Sequence, residues 1–314
     1  MKIPIFYAIN DQYASLLSVS LQSLADHASP KNQYQITVLY QTLSAENQQK
    51  LSSVATDNVH IHFSALDDQF SKLFEKDHNL LLADIRTLTI YYRLFIAAMF
   101  PNYQKAIYLD ADTLVMQDIA GLYQIDLGQH AIGAVTDQLL AIDPDLSAYP
   151  AQVVGVNAAN YVNSGVLLLD LAKLRQQKFS QRFLALLQQY HFKLIAADQD
   201  YLNAMAKDKI TFLPVKWNDQ TTVPFDENGD VGLVHYNLFR KPWHYLDVPC
   251  HQTFWKTADR TPYAQDLHDT LAQYDDKDTS ADDVKHQSLV NTANQLFKEK
   301  VTLKTVLSQG AASL

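Results

Sequence analysis

The chain has 314 residues, a formal net charge of −9, and 47% hydrophobic and 19% charged residues. That length can bury a large core, and an acidic balance with no basic stripe excludes a nucleic-acid binder. The single cysteine, Cys250, excludes an internal disulfide.

A reducing, cytoplasmic setting is therefore expected. No signal-like segment opens the chain and no apolar run reaches the length of a membrane span, so membrane association is expected to be peripheral at most. Residues 3–8 read as a buried strand, and residues 13–27 as a helix from the spacing of Leu16, Leu17, Val19, Leu21 and Leu24. A second strand over 34–40 precedes a helix that Ser44 can cap, and 59–63 reads as a third strand. This alternation predicts a parallel, doubly wound sheet. His60 and His62 would share one face of the third strand, as a solvent-side pair rather than a metal site. Residues 87–100 read as a helix interrupted by Arg93, which either snorkels along its stem or aims its guanidinium at a phosphate or sugar.

The most informative stretch follows. An apolar run through Leu109 reads as a buried strand that breaks into Asp110-Ala111-Asp112. In extended backbone, residues i and i+2 point the same way, so both carboxylates are expected to face one point in space. A divalent cation would relieve their repulsion, and open α/β sheets bind ligands at this end of a strand. Similar triplets occur at Asp143/Asp145 and Asp198/Asp200, so the apolar context is what singles out this one.

Downstream, a strand over 131–135 ends at Thr136-Asp137. Asn163-Ser164-Gly165 leads into a strand over 166–169, and its small residues let backbone approach a ligand closely. A long helix is expected over 171–190, and a further one opens near Asp198, which could serve as its cap. Residues 210–213 and 231–234 read as short strands, the second running into His235-Tyr236 and then Lys241-Pro242-Trp243-His244. Residues 275–278 read as a charged linker. Residues 283–308 form an amphipathic tail in which Leu289, Ala293, Leu296, Leu303 and Leu307 suit packing or self-association.

Taken alone, an apolar strand followed by Asp110-x-Asp112-Thr113 fits two chemistries. It matches the first motif of haloacid-dehalogenase-like phosphatases, with Asp110 as nucleophile and Asp112 as acid/base. That motif usually opens its domain, whereas a long α/β pattern precedes it here.

The ordered set of motifs instead resembles glycosyltransferase family 8, from Ile3 to about His244. Tyr7-Ala8-Ile9-Asn10-Asp11-Gln12-Tyr13 resembles the family's opening, and Tyr91-Tyr92-Arg93-Leu94 its donor-sugar arginine helix. Leu109-Asp110-Ala111-Asp112 resembles the metal motif, Asn163-Ser164-Gly165-Val166 the Asn-Ala-Gly-Val strand, and Asp198-Gln199-Asp200 the Asp-Gln-Asp segment. His235-Tyr236 with Lys241-Pro242-Trp243-His244 resembles the segment that closes over a diphosphate.

The resemblance implies an α/β fold of GT-A type, a Rossmann-like mixed sheet flanked by helices, over 1–258, with a C-terminal helical appendage over 259–314. It implies retaining transfer of glucose, galactose or N-acetylglucosamine from a UDP-sugar to a saccharide or glycoprotein acceptor, such as lipopolysaccharide or a surface-protein glycan. Mn²⁺, or Mg²⁺, would be held by Asp110, Asp112 and His235. Ala8, Asn10 and Tyr13 would hold uridine, while Ala111, Ser164, Leu238 and Lys241 would approach the rest of the donor. Arg93, Asp137, Asn163, Asp198 and Gln199 would line the sugar; Gln199, Asp198 and Asp137 form the catalytic group, with Gln199 nearest the reacting face. A homodimer or tetramer is expected. Asn10 stands where many relatives have Asp, and Leu238 where the galactosyltransferases have Gly. These departures leave the donor hexose open and motivate a third alternative, a non-catalytic glycan-binding protein.

Overall fold

The computed structural model describes residues 1–66, 88–221, 225–226, 229–274 and 276–310. A seven-stranded sheet runs in the order β3-β2-β1-β4-β7-β6-β8, built from β1 (Lys2–Ile9), β2 (Gln33–Tyr40), β3 (Val59–Ala65), β4 (Lys105–Leu109), β6 (Ile132–Thr136), β7 (Val162–Asp170) and β8 (Ile210–Phe212). A second sheet of three strands pairs β5 (Thr113–Val115), β10 (Leu233–His235) and β9 (Asp219–Gln220) in the order β5-β10-β9.

The near-continuous apolar runs of the central strands follow from burial on both faces. In β1, Ile3, Ile5 and Tyr7 enter one core and Phe6 the other; in β4, Ile107 and Leu109 oppose Ala106 and Tyr108. Helix α1 (Ala14–His27) and α2 (Ala45–Ser52) belong to the first layer, and Ser44 caps α2 through the Asn47 amide. The short helices α3 (Ile96–Met99), α4 (Ala120–Tyr123) and α5 (Gln138–Ile142) connect the middle strands. Helices α6 (Leu171–Gln176), α7 (Phe179–Tyr190) and α8 (Ala197–Met205) cover the second face.

Topology decides where the ligand end lies. Strands β1, β2, β3 and β4 are parallel, and the chain leaves β1 toward β2 but returns on its other side at β4. That switch point opens a crevice at the carboxyl ends of the strands. Strand β7 is antiparallel to both β4 and β6, so its first residues lie beside the last residues of those strands. Ile9, Leu109 and Thr136 therefore end, and Asn163 to Gly165 begin, at one edge.

Several expectations are corrected. Residues 88–94 form a 3₁₀ helix and only α3 is α-helical; Thr87 lies outside the described residues. The expected helix over 171–190 breaks at Gln177-Lys178, with Lys178 left-handed at φ 51°, into α6 and α7. Asn163-Ser164-Gly165 is strand, not a lead-in. The carboxylates of Asp110 and Asp112 sit in a turn between β4 and β5 rather than in continuing extended backbone.

The C-terminal region comprises α9 (His251–Ala258), α10 (Ala264–Gln273), α11 (Asp276–Leu296) and α12 (Leu303–Ser308). From residue 276 the expected linker is helix, and Asp275 lies outside the described residues. Val290, Ala293, Leu296, Leu303 and Val306 are buried within the second-face core of this same chain, so self-association would have to use other surfaces. Among the described residues, no helix is long and apolar enough to cross a membrane.

Candidate active site

At the end of β4, Tyr108 and Asp110 share a face, and the Tyr108 hydroxyl donates to Asp110 Oδ1 over 2.8 Å. Beyond the turn, His235 pairs with Thr113 across the small sheet, and the Tyr236 amide donates to the Asp112 carbonyl over 3.0 Å. His235 Nε2 thereby lies 3.3 Å from Asp112 Oδ1 and 3.8 Å from Asp110 Oδ2. Gly165 makes this approach possible: its carbonyl accepts the Asp110 amide at 2.7 Å, and His235 and Asp110 fill the space a Cβ would need.

The tautomer of His235 follows from a chain of fixed donors. The Gly165 amide can only donate, and it does so to Asn163 Oδ1 over 2.9 Å, while Asn163 Nδ2 donates to the Asp137 carboxylate over 3.1 Å. Asn218 Nδ2 donates to the same Asn163 oxygen over 2.9 Å, leaving Asn218 Oδ1 to face His235 Nδ1 at 2.9 Å. Nδ1 therefore carries the hydrogen, and the lone pair of Nε2 points at the two aspartates. Two carboxylates and this nitrogen, with ligand atoms all within 4.8 Å of one another, fit a divalent cation.

Asn218 is fully buried and sequence reasoning missed it, because no local pattern ties Trp217-Asn218-Asp219 to a histidine in another strand. Asn218→Leu is expected to weaken Mn²⁺ binding about 10- to 100-fold, read by calorimetry, by freeing the imidazole to rotate. Wild-type affinity would remove Asn218 from this chain.

Cations hold the remaining carboxylates. Arg93 pairs with Asp110 at 2.9 Å and Asp198 at 2.9 Å, donates to Ser164 O at 2.7 Å, and stacks 4.5 Å over the Tyr108 ring. With a side chain only 13% exposed, it does not snorkel. Burial pushes the Asp198 carboxyl up, opposed by Arg93. Asp198 is not a cap: α8 has no side-chain cap, and Asp198 also accepts the Ser164 hydroxyl at 3.0 Å. Lys241 Nζ lies 2.7 Å from Asp112 Oδ2 and also donates to the Tyr236 carbonyl. Burial would raise the Asp112 carboxyl, but the Lys241 ammonium against its Oδ2 opposes that shift, and the carboxyl lies well below the usual range.

Asp137 is 3% exposed; one oxygen caps α5 through the Leu140 amide, and the other accepts Asn163 Nδ2 and Gln199 Nε2. Gln199 Oε1 accepts the Ser164 amide, so both ends of its side chain are engaged. Asp200 points inward instead, clamped by the hydroxyls of Tyr149 at 2.8 Å and Tyr161 at 2.6 Å. Burial pushes its carboxyl up to about 7 against those hydrogen bonds.

Two cavities meet at the carboxylates. One, of about 340 Å³, reaches Ala8, Asn10, Tyr13, Arg93, Ala111 and Asp198; Gln41 also lines it and was missed. Asn10 uses its side-chain oxygen on the Gln12 amide. The other, of about 200 Å³, is lined by Asp137, Asn163, Ser164, Gln199, His235 and Leu238, among others. Leu238 has φ 56°, the left-handed region that glycine occupies freely, so the backbone here suits the glycine expected from the family resemblance. The edge pair His60/His62 stays outside: His60 bonds Gln33, and the only group of metal-ligating side chains found among the described residues is Asp110, Asp112 and His235. Both oxygens of Asp110 face Arg93, which fixes the orientation of this carboxylate.

Comparison with known proteins identifies the family and the fold. The model described as glycosyl transferase family 8 matches residues 4–247. Lipopolysaccharide glucosyltransferase WaaO of Escherichia coli K12 is 30% identical over 190 residues, covering 56% of this chain and 56% of that protein. A Haemophilus influenzae protein named as a glycosyltransferase is 27% identical over 215 residues, 68% of this chain and 62% of its own length. The matched region thus spans less than two thirds of either relative. Among solved structures, the galactosyltransferase LgtC with donor and acceptor sugar analogues superposes with a TM-score of 0.64 at 24% identity, covering 83% of this chain and 96% of that one. The bifunctional glycosyltransferase WbbM gives 0.71 at 20% identity, covering 87% and 52%. At those identities the likeness establishes a common fold, the GT-A type.

Proposed function

The chain belongs to glycosyltransferase family 8, and from that premise we propose a metal-dependent, retaining transfer of a hexose from a UDP-sugar to a glycan acceptor, with lipopolysaccharide-type glycans the leading class. The observation that carries it is the convergence of Asp110, Asp112 and the Nε2 lone pair of His235 between two cavities. Mn²⁺ suits this mixed oxygen and imidazole set better than Mg²⁺, and when bound it would supply Lewis-acid neutralisation of the leaving diphosphate.

The protein's own groups carry the rest. Ala8, Asn10 and Tyr13 line the cavity on the nucleotide side, and Lys241 brings a point charge within reach of the departing phosphate. Arg93 and Asp198 fix the sugar's hydroxyls, while Asp137, itself held by Asn163, and the Ser164 amide hold Gln199 in place. An amide engaged at both ends is a poor nucleophile but a fixed dipole, so front-face transfer assisted by the leaving group is preferred over a covalent intermediate. The cytoplasm, where nucleotide sugars are available, is the setting this reading requires.

Calorimetry with UDP and Mn²⁺ tests the proposal. Wild type should bind UDP only with the metal, and Asp112→Ala should lose more than about 100-fold in that affinity. Binding that is metal-independent, or unchanged in the variant, would sink it. Hydrolysis of a UDP-sugar in the presence of Mn²⁺ would separate an enzyme from a silent glycan-binding protein.

A further inference from the structure

We propose that helix α11, which lies beyond the family-matched residues, is the acceptor-side wall of the site, with Leu289 favouring saccharide acceptors that carry an apolar aglycone. The inference rests on the transferase reading above. The lining of the smaller cavity is of two kinds. One set, the floor, is polar, from Asp137, Asn163, Gln199 and His235 beside the Asp110/Asp112 pair; the other, the wall, is apolar, from Leu139, Leu140, Leu146, Ile195, Leu238 and Leu289. A donor sugar presents hydroxyls around its rim, and leucine side chains satisfy none of them. What lies against that wall with a gain in free energy is an apolar group, attached to a sugar whose accepting hydroxyl reaches the polar floor.

Helix α11 is held in this position at several points. His286 Nε2 lies 2.8 Å from Asp143 Oδ2, just past α5, which carries Leu139 and Leu140. Asp282 Oδ2 accepts the Arg240 amide at 3.1 Å and the Tyr245 hydroxyl at 2.9 Å. Those contacts brace the segment in which Leu238 and Arg240 are both left-handed and from which Lys241 reaches Asp112. On its inner side, Val290 and Ala293 are buried in the core. Leu289 is thus presented to the cavity by a helix fixed to both of its rims.

The test uses the full chain with a UDP-sugar, Mn²⁺ and matched methyl and p-nitrophenyl glycosides of glucose, galactose and N-acetylglucosamine. For whichever sugar is accepted, the nitrophenyl member should show a KM roughly tenfold lower than its methyl partner. Leu289→Asn should erase that difference, and Leu289→Met should keep it. A purely structural role for α11 would instead lower UDP affinity and acceptor use together in Leu289→Asn. Equal use of both glycosides, a preference that survives Leu289→Asn, or a panel in which no aryl glycoside either accepts sugar or suppresses donor hydrolysis would overturn the inference. Wild-type protein that fails to bind UDP with Mn²⁺ would overturn the transferase reading itself, a separate result.

Discussion

Gly165→Ala is expected to abolish metal-dependent UDP binding although Gly165 supplies no side chain to any ligand. A Cβ at this position would overlap the Cε1 carbon of His235 and come within 2.8 Å of both Asp110 Oδ2 and His235 Nε2. Neither neighbour can yield cheaply. Asp110 is held by Arg93 and Tyr108, and His235 is 2% exposed and bonded to Asn218. The methyl group therefore drives the imidazole off the aspartates. The loss should exceed about 100-fold in Mn²⁺-linked UDP affinity, with overpacking costing about 1–3 kcal/mol of stability. Calorimetry beside circular dichroism checks both. Native-like affinity in a folded variant would show that His235 does not need its observed place.

Arg93→Met is expected to be among the most destabilising single changes in the chain. It leaves Asp110 and Asp198 facing each other without the guanidinium between them, and breaking such a largely buried arrangement costs about 3–5 kcal/mol. The cost should depend on pH. Burial already holds the Asp198 carboxyl above its usual value in the native protein, with Arg93 opposing that shift. Without Arg93 the folded-state value rises further, so the neutral form is favoured on folding and the variant recovers stability as pH falls from 7 toward 5. Urea unfolding at both pH values measures this. A loss under about 1 kcal/mol at pH 7 would mean the pairing is solvent-screened. Arg93→Lys keeps the charge but cannot reach both carboxylates and Ser164 at once, and should fall between.

Much of this architecture was legible in the chain because burial on both faces writes itself into composition. The runs in β1, β2 and β4 read as strands, and the helical spacing between them placed α1 and α2. The reversal at β7 was not legible, since an antiparallel strand buried on both faces has the same apolar signature as a parallel one. That reversal brings Ser164 and Gly165 to Asp110. The 3₁₀ turn before α3 and the break at Lys178 likewise leave no periodic trace. Of the site, the residues with charged side chains stood out. Tyr108 had a signal, two places before Asp110 on the same strand face. Asn218 had none, and the amphipathic spacing that marked Leu289 pointed to packing; tertiary contacts alone bring the two to the site.

The carboxylate of Asp112 and the ring of His235 reach each other through the small sheet, in which β5 (Thr113–Val115) pairs with β10 (Leu233–His235) from far along the chain. Local contacts cannot assemble such a pair early, because loop closure over that separation must come first. On the proposed reading, a captured ion would leave the rate of refolding nearly untouched and act by slowing escape from the native state. Its influence would be on how long the finished molecule lasts rather than on how quickly it is made.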